Sequence, residues 1–358
     1  MADAHVECPT PDGETRRVRI SSPDRVLWPD CGITKLELAE YVRDVAEVFL
    51  ARIAARPVTL QRFPGGVDGE EFYSKNPPKG LPSWVRTVVM TYPSGRRHPQ
   101  LVADEIATAV WAVQMNTVTF HPWPVRVDNG AHALDYPDEV RIDLDPQPGR
   151  GFADAVEAAY GLRDVLADAG LTGFPKTSGN RGVHVYCPIA PQREFLDVRH
   201  GVIAIARELE RRMPDQVTTA WWKEQRGERV FVDYNQACRD RTIAAAYSPR
   251  PLPNAPVSMP LSWDELGAAA PSDFTVRSVP ALVAARTDPW GAYDDPVGDL
   301  ATAMTWWERD VAEGLPEMAF PPDYPKMPGE PPRVKPSKKR YEDSEYQPGG
   351  AGYLRDHP

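Results

Sequence analysis

Apolar residues at positions 38, 42, 45, 49 and 53 recur at helical spacing behind Thr34-Lys35-Leu36-Glu37, which reads as a capping box. The pattern predicts one helix that opens at Thr34 and is ended by Pro57. Residues 58–62 read as a strand running into the turn Pro64-Gly65-Gly66. Further helices are predicted over 104–115, 152–169 and 195–213, with a short one opening at Ser262-Trp263-Asp264-Glu265 and a last one over 295–314. Strands are predicted over 117–121, 140–145, 174–178, 183–187 and 229–234, and residues 242–247 read as a small apolar strand. Helices and strands mix without strict βαβ alternation and without an internal repeat. The expected fold is therefore α+β, with mixed or antiparallel sheets flanked by helices.

The pattern ends at Pro321. Nine of the last 38 residues are proline, and Lys335, Lys338, Lys339 and Arg340 cluster among them. Residues 1–320 are thus expected to form one catalytic domain, and 321–358 an extended basic tail with little core of its own. Across 358 residues, 42% hydrophobic and 26% charged is the composition of an ordinary globular chain with a sizeable core. A formal charge of −10 excludes a protein coated in basic surface, so any nucleic-acid footprint must be local. Cys8, Cys31, Cys187 and Cys238 form no CxxC pair and read as scattered reduced thiols. The N-terminus is acidic and polar, and no apolar run reaches membrane-span length, so a cytoplasmic protein is expected.

Arg141-Ile142-Asp143-Leu144-Asp145-Pro146 places two acids inside an apolar run. Side chains alternate in a strand, so Asp143 and Asp145 share one face and Ile142 and Leu144 enter the core from the other. The two acids are then roughly 6–7 Å apart at Cα, close enough to repel each other and to resist desolvation. Divalent cations remove both difficulties, and hard oxygen ligands suit Mg²⁺ or Mn²⁺. Asp233 repeats the arrangement in Val230-Phe231-Val232-Asp233-Tyr234. Three carboxylates on two strands could hold two metal ions ~3.5–4 Å apart, an arrangement suited to activating a hydroxyl and stabilising a phosphate oxygen. A surface strand whose acids pair with Arg141 or Arg229 is the competing reading.

Ser178-Gly179-Asn180-Arg181-Gly182 is a tight turn whose backbone N–H groups, with Ser178, could receive phosphate oxygens, and His184 leaves it on a strand. An ordinary hairpin would look the same. Arg239, Arg241 and Arg250 flank residues 242–247 and could carry a triphosphate. A solvated strand edge is equally consistent with them.

These stretches occur in a telling order. DLD at 143–145, SGNRGVH at 178–184 and FVDYNQACRDRTIAAAYSPR at 231–250 resemble the polymerase domain of bacterial ligase D, in the archaeo-eukaryotic primase superfamily. RVLWP at 25–29, QRFPGGVDGEEFYSKN at 61–76 and PPRVKPS at 331–337 extend the likeness along the whole chain. The resemblance implies a primase-polymerase that adds ribo- or deoxyribonucleotides to a primer 3′-hydroxyl at gaps or broken ends during repair by end joining. Ribonucleotides and Mn²⁺ are often preferred in the family. The resemblance also implies that Asp143, Asp145 and Asp233 hold two divalent ions, Mn²⁺ or Mg²⁺. Ser178, His184, Lys176, Arg241, Arg250 and His121 would then hold the incoming nucleoside triphosphate. Arg25, Lys35, Arg62, Phe72, Tyr73, Lys75 and Arg226 would bind DNA, with Phe72 and Tyr73 stacking near the template bases and Arg25 and Lys35 taking the 5′-phosphate across a gap. By pattern alone, Arg25 and Lys35 pass for surface charges and Phe72 and Tyr73 for core.

Two features depart from the family. Arg241 stands where Lys is common, and no Lys-Xaa-Asp-Gly motif for covalent nucleotidyl attachment is present. The chain is expected to be either a stand-alone, monomeric member, the favoured reading, or an excised domain, with Ku and a separate ligase as candidate partners. Two rivals remain at this level: a metal-dependent nuclease or phosphoesterase using the same aspartates, and a non-catalytic DNA-end-binding module. Arg16, Arg17, Arg19, Arg25 and Lys35 concentrate positive charge near the N-terminus. A downstream 5′-phosphate should therefore tighten binding to gapped DNA, and most of that gain should disappear between ~50 and ~200 mM salt. Fluorescence-anisotropy titrations giving equal affinity for phosphorylated and unphosphorylated gaps would refute the roles of Arg25 and Lys35.

Overall fold

The structure is a computed structural model and describes residues 3–130, 133–295, 297–321 and 324. The first predicted helix starts as its capping box requires: Glu37 N–H donates to Thr34 Oγ1 at 3.2 Å, and Thr34 N–H donates to Glu37 Oε2 at 2.9 Å. It is not continuous, however. Helices Lys35–Asp44 and Ala46–Ile53 meet at Val45, whose φ of −100° and ψ of 17° interrupt the first. Leu38, Val42, Phe49 and Ile53 are all buried on both sides of the break. Apolar spacing reports which side chains are buried, and a one-residue kink leaves that spacing intact.

Two five-stranded sheets frame the molecule. The first runs in the order Phe174–Thr177, Val183–Pro188, Glu139–Pro146, Val230–Asp233, Val217–Thr218; only the last pair is parallel. Val140, Ile142, Leu144, Val183, Val185 and Val232 send one face of this sheet into the main core, where helices Phe152–Asp168 and Phe195–Arg212 cover it. In the second sheet, Pro57–Arg62 pairs with Thr117–Pro122, Phe72–Ser74 and Arg97–Val102, and Arg97–Val102 pairs with Thr87–Thr91. An N-terminal hairpin, Ala4–Pro9 with Thr15–Ile20, packs on helices Lys35–Asp44 and Ile106–Gln114.

Two features stitch the sheets together. Arg141, on the acidic strand, donates through Nη1 to Pro122 O and through Nη2 to Trp123 O at 3.0 Å, at the end of a strand of the other sheet. Residues 242–247 supply the second link and correct the expectation of a strand there. They are largely buried but irregular: Tyr247 has a φ of +63°, Ala245 N–H donates to Phe120 O and Tyr247 N–H to Ser258 O. These two N–H groups find partners in different parts of the chain, so no ladder forms.

The α+β architecture and its antiparallel bias hold, and all four cysteines are unpaired. The hairpins Ala4–Pro9/Thr15–Ile20 and Thr87–Thr91/Arg97–Val102 escaped the sequence reading, and the final helix is shorter than expected, Ala301–Ala312. Of the expected tail, all but Pro321 and Tyr324 lies outside the described residues, including the PPRVKPS stretch.

Arg141 is held by Glu139, which is 4% exposed and accepts from Arg141 Nε at 2.7 Å, Arg56 Nη2 at 2.9 Å and Tyr293 O–H at 2.8 Å. Burial pushes the Glu139 carboxyl up, but Arg56 and Arg141 outweigh it and bring it down to about 2 from an ordinary 4.5. Glu139→Gln leaves the buried Arg141 guanidinium without a carboxylate and Arg56 with Asp138 alone, and is expected to destabilise the fold by ~3–5 kcal/mol at neutral pH, read by urea denaturation. A depressed folded pKa gives stability that is present above about 4.5 and lost as pH falls toward about 2, so the gap between variant and parent should close over that window.

Candidate active site

Register, more than proximity in sequence, builds the site. Across the first sheet Lys176 lies opposite His184, His184 opposite Asp143, and Asp143 opposite Asp233. Antiparallel partners have Cβ atoms ~4.5–5.5 Å apart, so four functional side chains form one row. His184 Nε2 is 3.5 Å from Asp143 Oδ1, and Lys176 Nζ is 2.7 Å from His184 Nδ1. A donating Lys176 leaves the imidazole proton on Nε2, facing the acid. Lys176 also donates to Ser258 Oγ, which donates in turn to Thr177 O at 2.7 Å. Asp145 follows two residues along the same face, and Gln147 Nε2 approaches its Oδ2 at 3.3 Å. Asp233 is held at both oxygens, by Asn235 N–H at 3.0 Å and Gln236 Nε2 at 2.9 Å.

The electrostatics follow from crowding like charges in a half-buried place. Burial, then Asp233 and Asp145, push Asp143 up to about 8 from 3.8, although Lys176 and Arg250 oppose the shift. Burial also raises Asp233, against the pull of Gln236, Asn235 and Arg241. On the basic side, burial, then Arg250 among other cations, drives Lys176 well below its ordinary value. Burial, then Lys176 and Arg250, do the same to His184. The chain therefore does not neutralise its own acids. Among the described residues no three His, Cys, Asp or Glu side chains are already arranged as a metal shell. The donor set nonetheless fits a hard divalent cation: three carboxylates on adjacent strands, two of them raised chiefly by burial.

The glycine turn docks between this row and Arg250. Gly179 has a φ of +77°, and a Cβ there would lie 2.4 Å from Arg250 Cγ. At Gly182 a Cβ would meet Leu144 O on the acidic strand at 2.8 Å. Only glycine permits both approaches. Ser178 Oγ accepts from Asn180 N–H at 3.2 Å and Gly182 N–H at 3.1 Å. Those two N–H groups, expected to face phosphate, are instead spent on shaping the turn, while the Ser178 hydroxyl retains its proton to donate. Arg250 keeps a buried Nε without a partner among the described residues, as a group awaiting an anion would.

His121, from the second sheet, closes the other wall. Its Nε2 is 3.0 Å from Gln61 Oε1, and its ring lies edge-on to Tyr73 at 5.6 Å. Burial, then Arg250, Lys176 and Arg141, lower its pKa. The structure thus gathers Asp143, Asp145, Asp233, Ser178, His184, Lys176, Arg250 and His121, with Arg241 near enough to influence Asp233. Arg226 is likewise near enough to act on Asp233 and Asp145, and Tyr73 borders the site through His121, whereas the remaining predicted residues are not part of this row. Arg62 is tied to Met115 O at 2.8 Å and to Ser74 Oγ at 3.2 Å, and Lys75 to Asp240 at 2.6 Å. Arg226 is buried, stacks 3.5 Å over Phe231 and donates to the carbonyls of Ala220 and Trp221. Phe72 and Tyr73 are 42% and 56% exposed, the reverse of the core placement their pattern suggests. Lys35 also departs from its pattern: it is 3% exposed, donates to Ser21 O at 3.1 Å, and burial, then Arg25, lower it to about 8. Arg25 is half-buried and donates to Pro64 O. Arg16, Arg17 and Arg19 pair with Glu105, Glu7 and Asp3, so the N-terminal basic cluster narrows to Arg25 and Lys35.

Gln61, Ser258, Gln147, Asn235 and Gln236 support the site but were not foreseen. Gln147 and Gln236 sit two and three residues past an acid, a spacing that could have marked them. Gln61 and Ser258 come from remote elements and carry no local signal.

A family profile described as the LigD primase-polymerase domain matches residues 34–290. The chain belongs to that family. It is 33% identical over 293 residues to the multifunctional non-homologous end joining protein LigD of Mycobacterium bovis, covering 80% of this chain and 38% of that protein. The corresponding protein of Pseudomonas aeruginosa is 34% identical over 295 residues, covering 81% and 34%. Among solved structures, the polymerase domain of Mycobacterium tuberculosis ligase D in complex with DNA matches with a TM-score of 0.71 and 32% identity, covering 78% of this chain and 99% of that one. The chain spans 34–38% of the length of these two curated relatives. The family membership agrees with the expected primase-type α+β fold and with a nucleotidyl-transferring class of reaction. Among the described residues no helix is long and apolar enough to cross a membrane.

The raised Asp143 has a thermodynamic consequence. Between an ordinary 3.8 and about 8 the folded chain holds a proton that the unfolded chain has released. The Asp143 contribution to the stability of the metal-free protein should therefore fall as pH rises through that window, against the opposite trend from the lowered Lys176, His184 and His121. Asp143→Asn is expected to remove that contribution, so the stability difference between variant and parent changes with pH across the window. Urea denaturation in chelator at both ends of the window measures it, and a pH-independent difference would refute the raised Asp143 carboxyl.

Proposed function

We propose that this chain is a template-dependent primase-polymerase that adds nucleotides to a primer 3′-hydroxyl at gaps or broken DNA ends. The observation that carries the reading is the cross-strand row Lys176–His184–Asp143–Asp233, flanked by Asp145 and by the unpartnered Arg250 Nε, in a chain of this family. Asp143, Asp145 and Asp233 would hold two divalent ions, Mn²⁺ or Mg²⁺. Bound there, such ions lower the pKa of the primer hydroxyl and stabilise charge on the reacting phosphate.

The chain's own side chains then bind and orient. Arg250 and Arg241 meet phosphate oxygens with guanidinium forks, Ser178 donates its hydroxyl proton, and His184 donates from Nε2. Lys176 holds the His184 tautomer from behind, and His121 supports the wall beneath the nucleotide. Phe72 and Tyr73, exposed on a strand edge beside His121, offer π faces to template bases without reading sequence. Arg25 and Lys35 take a downstream 5′-phosphate. Arg62, Lys75 and Arg226, each pinned to a neighbouring group, provide fixed positive charge along the DNA path. Residues 1–320 act as one catalytic unit, supported by a core running from Val6 to Ala303. We place the chain in the cytoplasm at the nucleoid, as a monomer that prefers ribonucleotides and works in end joining beside Ku and a ligase. The end-joining names of its relatives support that placement.

Primer extension on gapped and blunt-ended DNA tests the reading, with ribo- against deoxyribonucleotides and Mn²⁺ against Mg²⁺. Templated extension is expected. Asp145→Ala should cut it by at least ~100-fold, since even groups behind metal ligands cost 10–100-fold, while DNA affinity stays near that of the parent. Primer shortening without nucleoside triphosphates would instead identify a nuclease or phosphoesterase, and DNA binding with neither activity an end-binding module.

A further inference from the structure

The hydrogen bonds that hold Asp233 lead away from the site to a distant part of the chain. Asp233 ends the strand Val230–Asp233, and a 3-10 turn, Tyr234–Ala237, follows at once. Asn235 donates its backbone N–H to Asp233 Oδ1, but its side chain points elsewhere and is 2% exposed. Its Nδ2 donates to Ala319 O at 2.9 Å, and its Oδ1 accepts from Arg199 Nε at 3.1 Å and from the Cys238 thiol at 3.3 Å. Arg199 is 1% exposed and uses the rest of its fork on the same C-terminal segment. Nη1 donates to Glu317 Oε1 at 2.6 Å, and Nη2 to Met318 O at 2.8 Å and Ala319 O at 3.2 Å. Its plane lies 3.9 Å over Phe320.

The segment is anchored at its other side as well. Glu317 Oε2 meets His200 Nε2 at 2.7 Å, and the His200 ring stacks on Trp307 at 4.1 Å. Tyr234 O–H adds a longer bond to Ala319 O at 3.4 Å. Residues 317–320 therefore form a strap over the turn behind Asp233, and they lie outside the matched span 34–290.

We propose that this strap, acting through Arg199 and Asn235, is a positioning device that aims the Asp233 carboxylate. The inference rests on the reading of Asp233 as a metal-holding acid. An aspartate χ2 is broad and roughly two-fold, so a carboxylate pointing at a site keeps a fixed direction only if donors hold its oxygens. One of the two donors here is the Asn235 backbone, whose position the strap sets. Arg199 suits the task because its planar fork loses little freedom per bond, and the three donors of Lys, all on one nitrogen, could not span the partners that Nε, Nη1 and Nη2 reach. Groups behind metal ligands typically change metal affinity or activity by 10–100-fold, and the strap stands in that relation to Asp233.

The experiment titrates the full chain with Mn²⁺, following free Mn²⁺ by electron paramagnetic resonance, alongside urea denaturation of each variant. Asn235→Ala keeps the backbone N–H but releases the turn from the strap, and Arg199→Lys keeps the charge but loses the fork. Each is expected to weaken Mn²⁺ binding by ~10-fold or more while remaining folded. In primer extension each should raise the Mn²⁺ concentration needed, recover most of its rate at excess Mn²⁺, and leave the KM for DNA unchanged. His200→Ala, which loosens only the outer anchor of Glu317, should give a smaller change in the same direction and covers the case in which the inner variants unfold. Asp233→Asn separates the two levels of the argument. If it leaves Mn²⁺ affinity intact, the metal reading of the site fails. If it weakens binding while Asn235→Ala, Arg199→Lys and His200→Ala do not, the strap is packing only and the inference is overturned.

Discussion

The rest of the structure depends on one antiparallel register, which sets Asp143 directly opposite Asp233. Two carboxylates at that separation in a half-buried place repel each other, and burial raises the cost of charging either. A fold built for stability alone would put an apolar pair there. This one surrounds the pair with cations that burial has itself weakened: Lys176 and His184 are pushed down in the same stroke that raises Asp143. The result is a site short of positive charge and supplied with oxygen donors, next to an arginine with a buried nitrogen unsatisfied. Its electrostatics make sense when cations and a polyanion arrive together.

Holding such a row in register requires rigidity from both sheets. Arg141 carries the acidic strand onto the end of Thr117–Pro122, and Glu139, shared with Arg56, neutralises that arginine within the core. The same strand thus has a compensated end, where the charges are paired and the Glu139 carboxyl is depressed, and an uncompensated end, where the Asp143 carboxyl is raised. Positions 139, 141, 143 and 145 share one face, so the change from structural to functional chemistry takes place along a single strand. The glycine turn adds the third constraint: Gly182 allows the loop to close on Leu144, and Gly179 allows Arg250 to cross it.

Much of this was legible in the chain. Alternation placed Asp143 and Asp145 on one face because a strand has period two, and the Val-Phe-Val-Asp stretch marked Asp233 by the same logic. The four strands that carry the site and the capping box at Thr34 came from equally local signals, whereas the edge strand Val217–Thr218 did not. The failures share a cause. Residues 242–247 look like a strand because they are small and apolar, yet their backbone partners Phe120 and Ser258 lie in different parts of the chain and no ladder results. Lys35 looks like a surface charge because lysine usually is one, yet the N-terminal hairpin and the Ser21 carbonyl enclose it. Phe72 and Tyr73 look like core because they are aromatic, yet their strand is an edge with no layer above it.

The sequence by itself determined which residues could bear the chemistry and which face of each strand they occupy. These properties depend on backbone periodicity over a few residues, and periodicity is written locally. Tertiary structure alone decided that His184, Asp143 and Asp233 fall in one row, that Lys176 stands behind them, and that residues 317–320 return to brace Asp233. Each of these is a pairing between segments tens of residues apart, chosen by which registers and packings bury the apolar faces together, and no local pattern encodes that choice.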